Sequence, residues 1–377
     1  MKRIALVVLL AAACASRPVD PGIARVKGLI AKEPDNAAFY YVLARHYDRT
    51  RDRKNVLRMF HRLERFGWTL GVWPDHFRNF RGDADFQRLA ARLDAREPAV
   101  QRATTAFTFS KERDVRSEGI AYDPVDDRFY FSGGTGSLLR VDRAGAISEL
   151  AIEPLGEKFE RLGLHVDPER RQIWTAAAVF DANAPAEEKG RSVLAVYDLR
   201  DGRLLRRIDA GSAEQRSILN DLTRLKDGTV FVTDTERDQL LRLAPGATAF
   251  ELWADGFRGP NGIVLSADEG TLYVSDFYGI HAVDVATKSR RLLDTARPLN
   301  AIDGLALHRG DLIAIQNNLG RPRVLRVDPR SKRVEVLEAK NPLINGAATG
   351  VIAGDEFFFI ASRSNQAAER PVLKIAL

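Results

Sequence analysis

One short pattern recurs six times in the long C-terminal part of this 377-residue chain, and that recurrence restricts the fold more than any other feature. Its six copies are Glu118-Gly-Ile-Ala121, Leu162-Gly-Leu-His165, Asn220-Asp-Leu-Thr223, Asn261-Gly-Ile-Val264, Asp303-Gly-Leu-Ala306 and Thr349-Gly-Val-Ile352. Each opens a similar run. A short strand is followed by a turn and then by a stronger strand such as Phe129-Tyr-Phe131, Val230-Phe-Val-Thr233 or Phe357-Phe-Phe-Ile360. A third strand ends on or beside an acid, as at Asp142, Asp198 and Asp284. Turn signals such as Asp126-Asp127, Asp201-Gly202, Asp227-Gly228 and Arg309-Gly310 separate the strands. The copies start 44, 58, 41, 42 and 46 residues apart, with a polar insert at Asp181 to Arg191 lengthening the second. A period of about 40–50 residues with four strands per unit predicts propeller blades.

Six starts predict six blades, but the last unit, Thr349 to Leu377, is too short for four strands. Ala106-Phe-Thr-Phe109 is strand-like and precedes the first unit, so it is expected to pair with Pro371 to Leu377 and close the ring. Closure removes the open edges that a sheet must otherwise protect. The propeller is therefore placed over residues 104–377.

Residues 20–100 read as helical. Phe39, Val42, Leu43 and His46 fall at helical spacing, as do Val56, Leu57, Phe60 and Leu63, and then Phe86, Leu89 and Leu93. The first two helices resemble one tetratricopeptide-type hairpin. A single hairpin cannot bury its own faces, so Trp68, Trp73, Phe77, Phe80 and the third helix are expected to cover it. A spacer or a docking place for a protein partner is the role expected of this region.

Residues 1–13 combine Lys2 and Arg3 with a ten-residue apolar run from Ile4 to Ala13. A membrane-spanning helix needs about 20 such residues, so the segment reads as a signal peptide. Ala11-Ala12-Ala13 leads into Cys14, the only cysteine of the chain. This is similar to a bacterial lipoprotein signal, which implies lipidation at Cys14, a short tether over 14–19 and anchoring in the envelope, at the outer membrane in a Gram-negative host. An ordinary secretory signal fits the same residues. One cysteine excludes an internal disulfide and a cysteine-built metal site.

Charge is uneven. Residues 1–16 carry +2, residues 17–100 carry 17 Lys/Arg against 11 Asp/Glu for +6, and the remainder carries 38 against 40 for −2, giving the overall +6. The excess lies beside the proposed anchor, where it suits an anionic lipid surface or simply a solvated helical face. No glycine-rich phosphate loop or basic-aromatic stripe points to nucleic acid.

In a propeller the first strand of each blade lines the axis. The repeat therefore brings residues 118, 162, 220, 261, 303 and 349 to one mouth of a central channel. Their side chains are Glu, Leu, Asn, Asn, Asp and Thr. Converging carboxylates repel unless one is protonated or a cation lies between them. An all-oxygen set of Glu118, Asn220, Asn261 and Asp303 suits a hard divalent ion, calcium better than zinc or copper. Strand-entry turns rich in Asn, Asp and Gly are the plainer account of the same residues. His165 lies on the inner strand of the second blade, where it is a candidate substrate contact or a structural histidine. Asn317-Asn318 read as a turn that could approach the channel, and Arg161 and Arg224 as surface charges or anion contacts.

Over residues 112–365 the sequence resembles the family of gluconolactonase, regucalcin and luciferin-regenerating enzyme. The likeness is strongest in Gly259-Pro-Asn-Gly-Ile-Val-Leu-Ser-Ala-Asp-Glu-Gly-Thr-Leu-Tyr-Val-Ser-Asp276 and Asn220-Asp221, and shorter at Ser117-Glu118-Gly119 and Ile302-Asp303-Gly304. The resemblance implies Glu118, Asn261 and Asp303 as ligands of a divalent ion, usually calcium. It implies Asn220 as a further ligand or substrate contact, and Asp303 as general base in lactone hydrolysis. The family often carries an arginine two residues before the Asn220 position, where this chain has Ile218. The expectation is a calcium-dependent hydrolase of lactones or related esters. Its alternative is a non-enzymatic envelope propeller that binds a protein or ligand, with a central ion that is structural or absent.

Overall fold

The computed structural model describes residues 20–110, 118–133, 137–156, 158–181, 183–362 and 369–377. Cys14 and the signal segment lie outside the described residues. Among the described residues no helix is long and apolar enough to cross a membrane. The chain divides into two compact units, one running to Thr69 and resuming over Pro74–Leu93, the other comprising Leu70–Trp73 and Asp94–Leu377.

The larger unit is a six-bladed β-propeller of antiparallel sheets. Inner strands run over Ile120–Asp123, Phe159–Asp167, Leu219–Arg224, Ile263–Leu265, Ile302–His308 and Gly350–Ala353. Each touches the inner strands of the blades before and after it, so the six form a closed ring around the axis. Strands as short as three or four residues suffice because apolar side chains from the sheets pack against the neighbouring blades. Phe109, Phe129, Phe131 and Phe358 fill one such layer, and Trp174, Val196, Leu222 and Val232 another.

The sixth blade is completed as the sequence predicts. Thr104–Ser110 forms its outermost strand, antiparallel to the C-terminal Glu369–Ala376, with Phe107 opposite Val372. Phe109 is fully buried and sits edge-on to Phe131 at 5.0 Å between ring centroids. A two-residue strand, Val100–Gln101, adds a fifth member to the fifth blade.

The acids that end third strands shape the turns. Asp142, Asp198, Asp284 and Asp328 each accept the backbone N–H two residues on, at 2.8–3.1 Å. The polar insert from Asp181 to Arg191 lies between the second and third strands of the second blade.

The smaller unit holds α1 (Pro21–Lys32), α2 (Ala37–Arg49), α3 (Arg53–Arg65), a short 3-10 segment (Pro74–Phe80) and most of α4 (Ala84–Asp94). Asp20, Asn36 and Asp52 cap the first three helices by accepting N–H bonds in the first turn. Its core is aromatic, as the sequence suggests: Tyr41 stacks on Trp68 at 5.1 Å, and Phe60 meets Phe77 at 5.0 Å and Phe86 at 4.9 Å.

Candidate metal centre

The site is built at one register of the ring. Glu118, Leu162, Asn220, Asn261, Asp303 and Thr349 each immediately precede Gly119, Gly163, Asp221, Gly262, Gly304 or Gly350. In the second, third and fifth blades the pairing of inner to second strand slips here, between Arg161 and Leu164, Leu219 and Leu222, and Ile302 and Leu305. A bulge inserts a residue and re-aims the side chains around it. Glycine lets adjacent inner strands close up. A Cβ on Gly163 would lie 2.6 Å from the Asn220 carbonyl oxygen, and one on Gly304 would lie 2.7 Å from Thr349 Cα.

Four of the predicted residues, Glu118, Asn220, Asn261 and Asp303, line one cavity of about 10 Å³ together with Thr349. That is the room a single water or ion needs. Leu162 does not join them. It is buried, and the second blade contributes Gly163 to the wall instead. The register slip between Arg161 and Leu164 falls on this stretch, so the alternation that would place Leu162 beside its counterparts is broken here.

Asp221 also lines the cavity, which the sequence reading missed. Its signal was present in the repeat: one aspartate stands in a column otherwise made of glycine. The carboxylate accepts N–H bonds from Leu222 at 2.8 Å and, across to the next blade, from Ile263 at 3.2 Å. Burial, helped by the nearby negative charge of Asp303, pushes its pKa up to about 7.

Asp303 is 3% exposed and is gripped by carboxamides. Asn261 Nδ2 donates to its Oδ1 at 2.6 Å, and Asn317 Nδ2 donates to its Oδ2 at 2.7 Å. Asn317 follows a strand, as expected, but it is a fully buried partner of Asp303 and of the Ala347 carbonyl rather than a mere turn residue. Asn220 Nδ2 donates to Thr235 Oγ1 at 3.0 Å. With both Asn220 and Asn261 committing their nitrogens to protein acceptors, their carbonyl oxygens are the ends left for a cation. Together with Glu118 and Asp303 this makes two carboxylates and two carbonyl oxygens, a donor set that fits calcium. Among the described residues no group of three or more His, Cys, Asp or Glu forms a metal cluster, so nothing here resembles a zinc site.

His165 is placed elsewhere. It lines a larger axial cavity of about 290 Å³, which shares only Asp221 and Thr349 with the polar cavity. Surrounding protein, and after it the charge of Arg224, depress its pKa to about 4. Arg224 is not a surface charge. It is half-buried, in an ion pair with Asp167 at the end of the second blade's inner strand, and Arg171 pairs with Asp123 of the first blade at 2.7 Å. Arg161 is buried as well, 3% exposed.

Comparison with solved structures agrees with this geometry at the level of the fold. A gluconolactonase from Xanthomonas campestris superposes with a TM-score of 0.52 at 17% identity, covering 72% of this chain and 89% of that one. An aldose sugar dehydrogenase from Streptomyces coelicolor, in its PQQ-bound form, gives 0.50 at 14% identity, covering 74% and 99%. No curated protein matches the chain. The family model described as "SMP-30/Gluconolactonase/LRE-like region" matches residues 116–350, which span the first five inner strands and all the residues that line the polar cavity, and the chain belongs to that family.

Proposed function

We propose that the protein is a divalent-cation-dependent hydrolase of lactones or related esters, with calcium as its cation, exported and held in the cell envelope by a lipid on Cys14. The observation that carries the catalytic reading is the convergence of Glu118, Asn220, Asn261 and Asp303 on one ion-sized cavity. These four residues would hold the cation, which when bound supplies a Lewis acid for the ester carbonyl. Asp303 is the general base: two amide N–H donors hold its carboxylate and fix its plane, and it accepts the proton of the attacking water. Asn220, anchored on Thr235, lies beside it as a ligand or substrate contact. Ile218 stands where the family often has an arginine for a sugar acid, which favours a lactone without a carboxylate.

The test is metal analysis of the purified protein joined to hydrolysis of a lactone and ester panel, before and after chelation. Bound calcium is expected, with turnover lost on chelation and restored by calcium. Asp303→Asn and Glu118→Gln should each lower kcat by about 100-fold or more. A calcium-loaded protein inactive across the panel would instead support a binding propeller with a structural ion. A metal-free protein indifferent to calcium would sink both.

A further inference from the structure

The propeller unit includes two stretches that are not blade strands, Leu70–Trp73 and the run that starts at Asp94. The proposed chemistry uses neither. Both are fastened to the fifth blade, at the loop that carries Asn317. That loop, residues 317–322, joins the strands Asp311–Gln316 and Arg323–Val327. Its first residue, Asn317, donates to Asp303 Oδ2 at 2.7 Å.

The far end of the loop is held by Leu70 and Asp94. The Leu70 carbonyl accepts the backbone N–H of Arg321 at 2.8 Å. Asp94 accepts the Arg321 guanidinium through Oδ2 at 2.9 and 2.7 Å, and the Val72 N–H through Oδ1 at 2.7 Å. One carboxylate therefore ties both stretches to the loop.

The near end is held by Glu97. Gln316 is fully buried beside Asn317 and lies opposite Ile302, the residue before Asp303. Its side-chain nitrogen donates to the Asn300 carbonyl at 2.6 Å, and its side-chain oxygen accepts from Arg323 Nε at 2.7 Å. The Glu97 carboxylate accepts from Arg323 Nη1 at 3.3 Å and from Arg297 Nη1 at 3.0 and 2.9 Å. Glu97 and Arg323 are both buried, at 4% and 3% exposed. The run that leads into Asp303 and the loop that carries Asn317 thus share one set of fastenings.

We propose that Asp94 and Glu97 are positioning residues of the cation site, acting through Arg321 and Arg323 to hold Asn317 against Asp303. The inference rests on the reading that Asp303 binds a cation. Groups behind a ligand set its orientation and hence its affinity. Releasing Arg321 gives the loop conformers in which Asn317 is withdrawn, and apparent affinity falls with the fraction of molecules that remain competent.

Glu97→Gln leaves Arg323 buried without its carboxylate, which costs folding stability outright. The test is therefore placed on Arg321, which is half-buried. Calcium binding to the full chain is titrated calorimetrically in the parent, Arg321→Gln, Asn317→Ala and the double variant. Arg321→Gln should weaken calcium by about tenfold, and Arg321→Lys, which keeps a cation for Asp94, should recover part of the loss. A purely structural role would lower the melting temperature and leave the affinity alone. In the Asn317→Ala background Arg321→Gln should add nothing, because the group it positions is gone. Arg309→Gln breaks an exposed pair with Asp355 at the other end of the fifth blade's inner strand and should leave affinity unchanged. Affinity unmoved by Arg321→Gln overturns the proposal and leaves the cation site standing, as do losses that combine in full in the double variant. A parent that binds no calcium removes the cation site itself, and this role of Asp94 and Glu97 with it.

Discussion

Asp303 and Asn317 form the tightest unit of the candidate site, and their coupling can be measured. Replacing Asn317 with alanine removes one of the two amide donors of Asp303 and leaves the Ala347 carbonyl without that partner. Calcium affinity should fall by about 10–100-fold, the usual effect of losing a group that orients a ligand, and calorimetry of the variant reads it directly. An unchanged affinity would mean Asp303 is oriented by other contacts. His165 makes a second residue-scale prediction. Its folded pKa, about 4, lies below the ordinary value of 6.5. The unfolded chain therefore binds more protons between those values, so stability rises with pH there. Stability present above about pH 6.5 should be lost progressively towards pH 4, by about 3 kcal/mol. Denaturant melts of His165→Gln against the parent should isolate that slope, which the variant lacks. Asn317 could not be assigned from the sequence, because a polar residue after a strand has the same local signature whether it turns outward or reaches across the ring, and His165, within its strand, could not be, because which cavity it lines depends on the neighbouring blades.

At the scale of elements, the closing strand carries the clearest consequence. Thr104–Ser110 and Glu369–Ala376 join the two ends of the propeller, and Phe109 is the buried contact that seats the first on the second. Phe109→Ala should cost about 3–5 kcal/mol and lower the melting temperature, with hydrogen exchange rising first in the sixth blade. A loss spread evenly over all blades would show that the closing strand is not a separate point of failure. Strands, hairpin turns and this closure were legible because each has a local cause: alternation, Asp or Gly at a turn, and a last unit one strand short. The bulges were not. A slipped register between Leu219 and Leu222, for example, exists only relative to the partner Val232–Asp234, and nothing in the inner strand alone announces it.

For the whole molecule, the ring makes the ion and the fold one thermodynamic problem. The candidate ligands come from the first, third, fourth and fifth blades, so a cation bound among them ties separated blades together. A ligand that binds only the native state stabilises it by about 2.7 kcal/mol at 100 times its Kd. The propeller's melting temperature should therefore rise by about 5 °C or more in saturating calcium, as scanning calorimetry would record, while the helical unit need not follow. A propeller transition indifferent to calcium, in a protein shown to melt reversibly, would contradict the site.

The period, the blade count and the column of acids and amides came from the sequence alone, because a propeller repeats one local unit and the axis collects whatever stands at one register. Tertiary structure decided which members of that column share the cavity. Bulges re-aim side chains: Leu162 is buried away from the cavity, Asp221 comes to the cavity wall, and Asn317, from outside the column, reaches Asp303. Those choices depend on the neighbouring blade, whose distance and packing no stretch of a single strand contains.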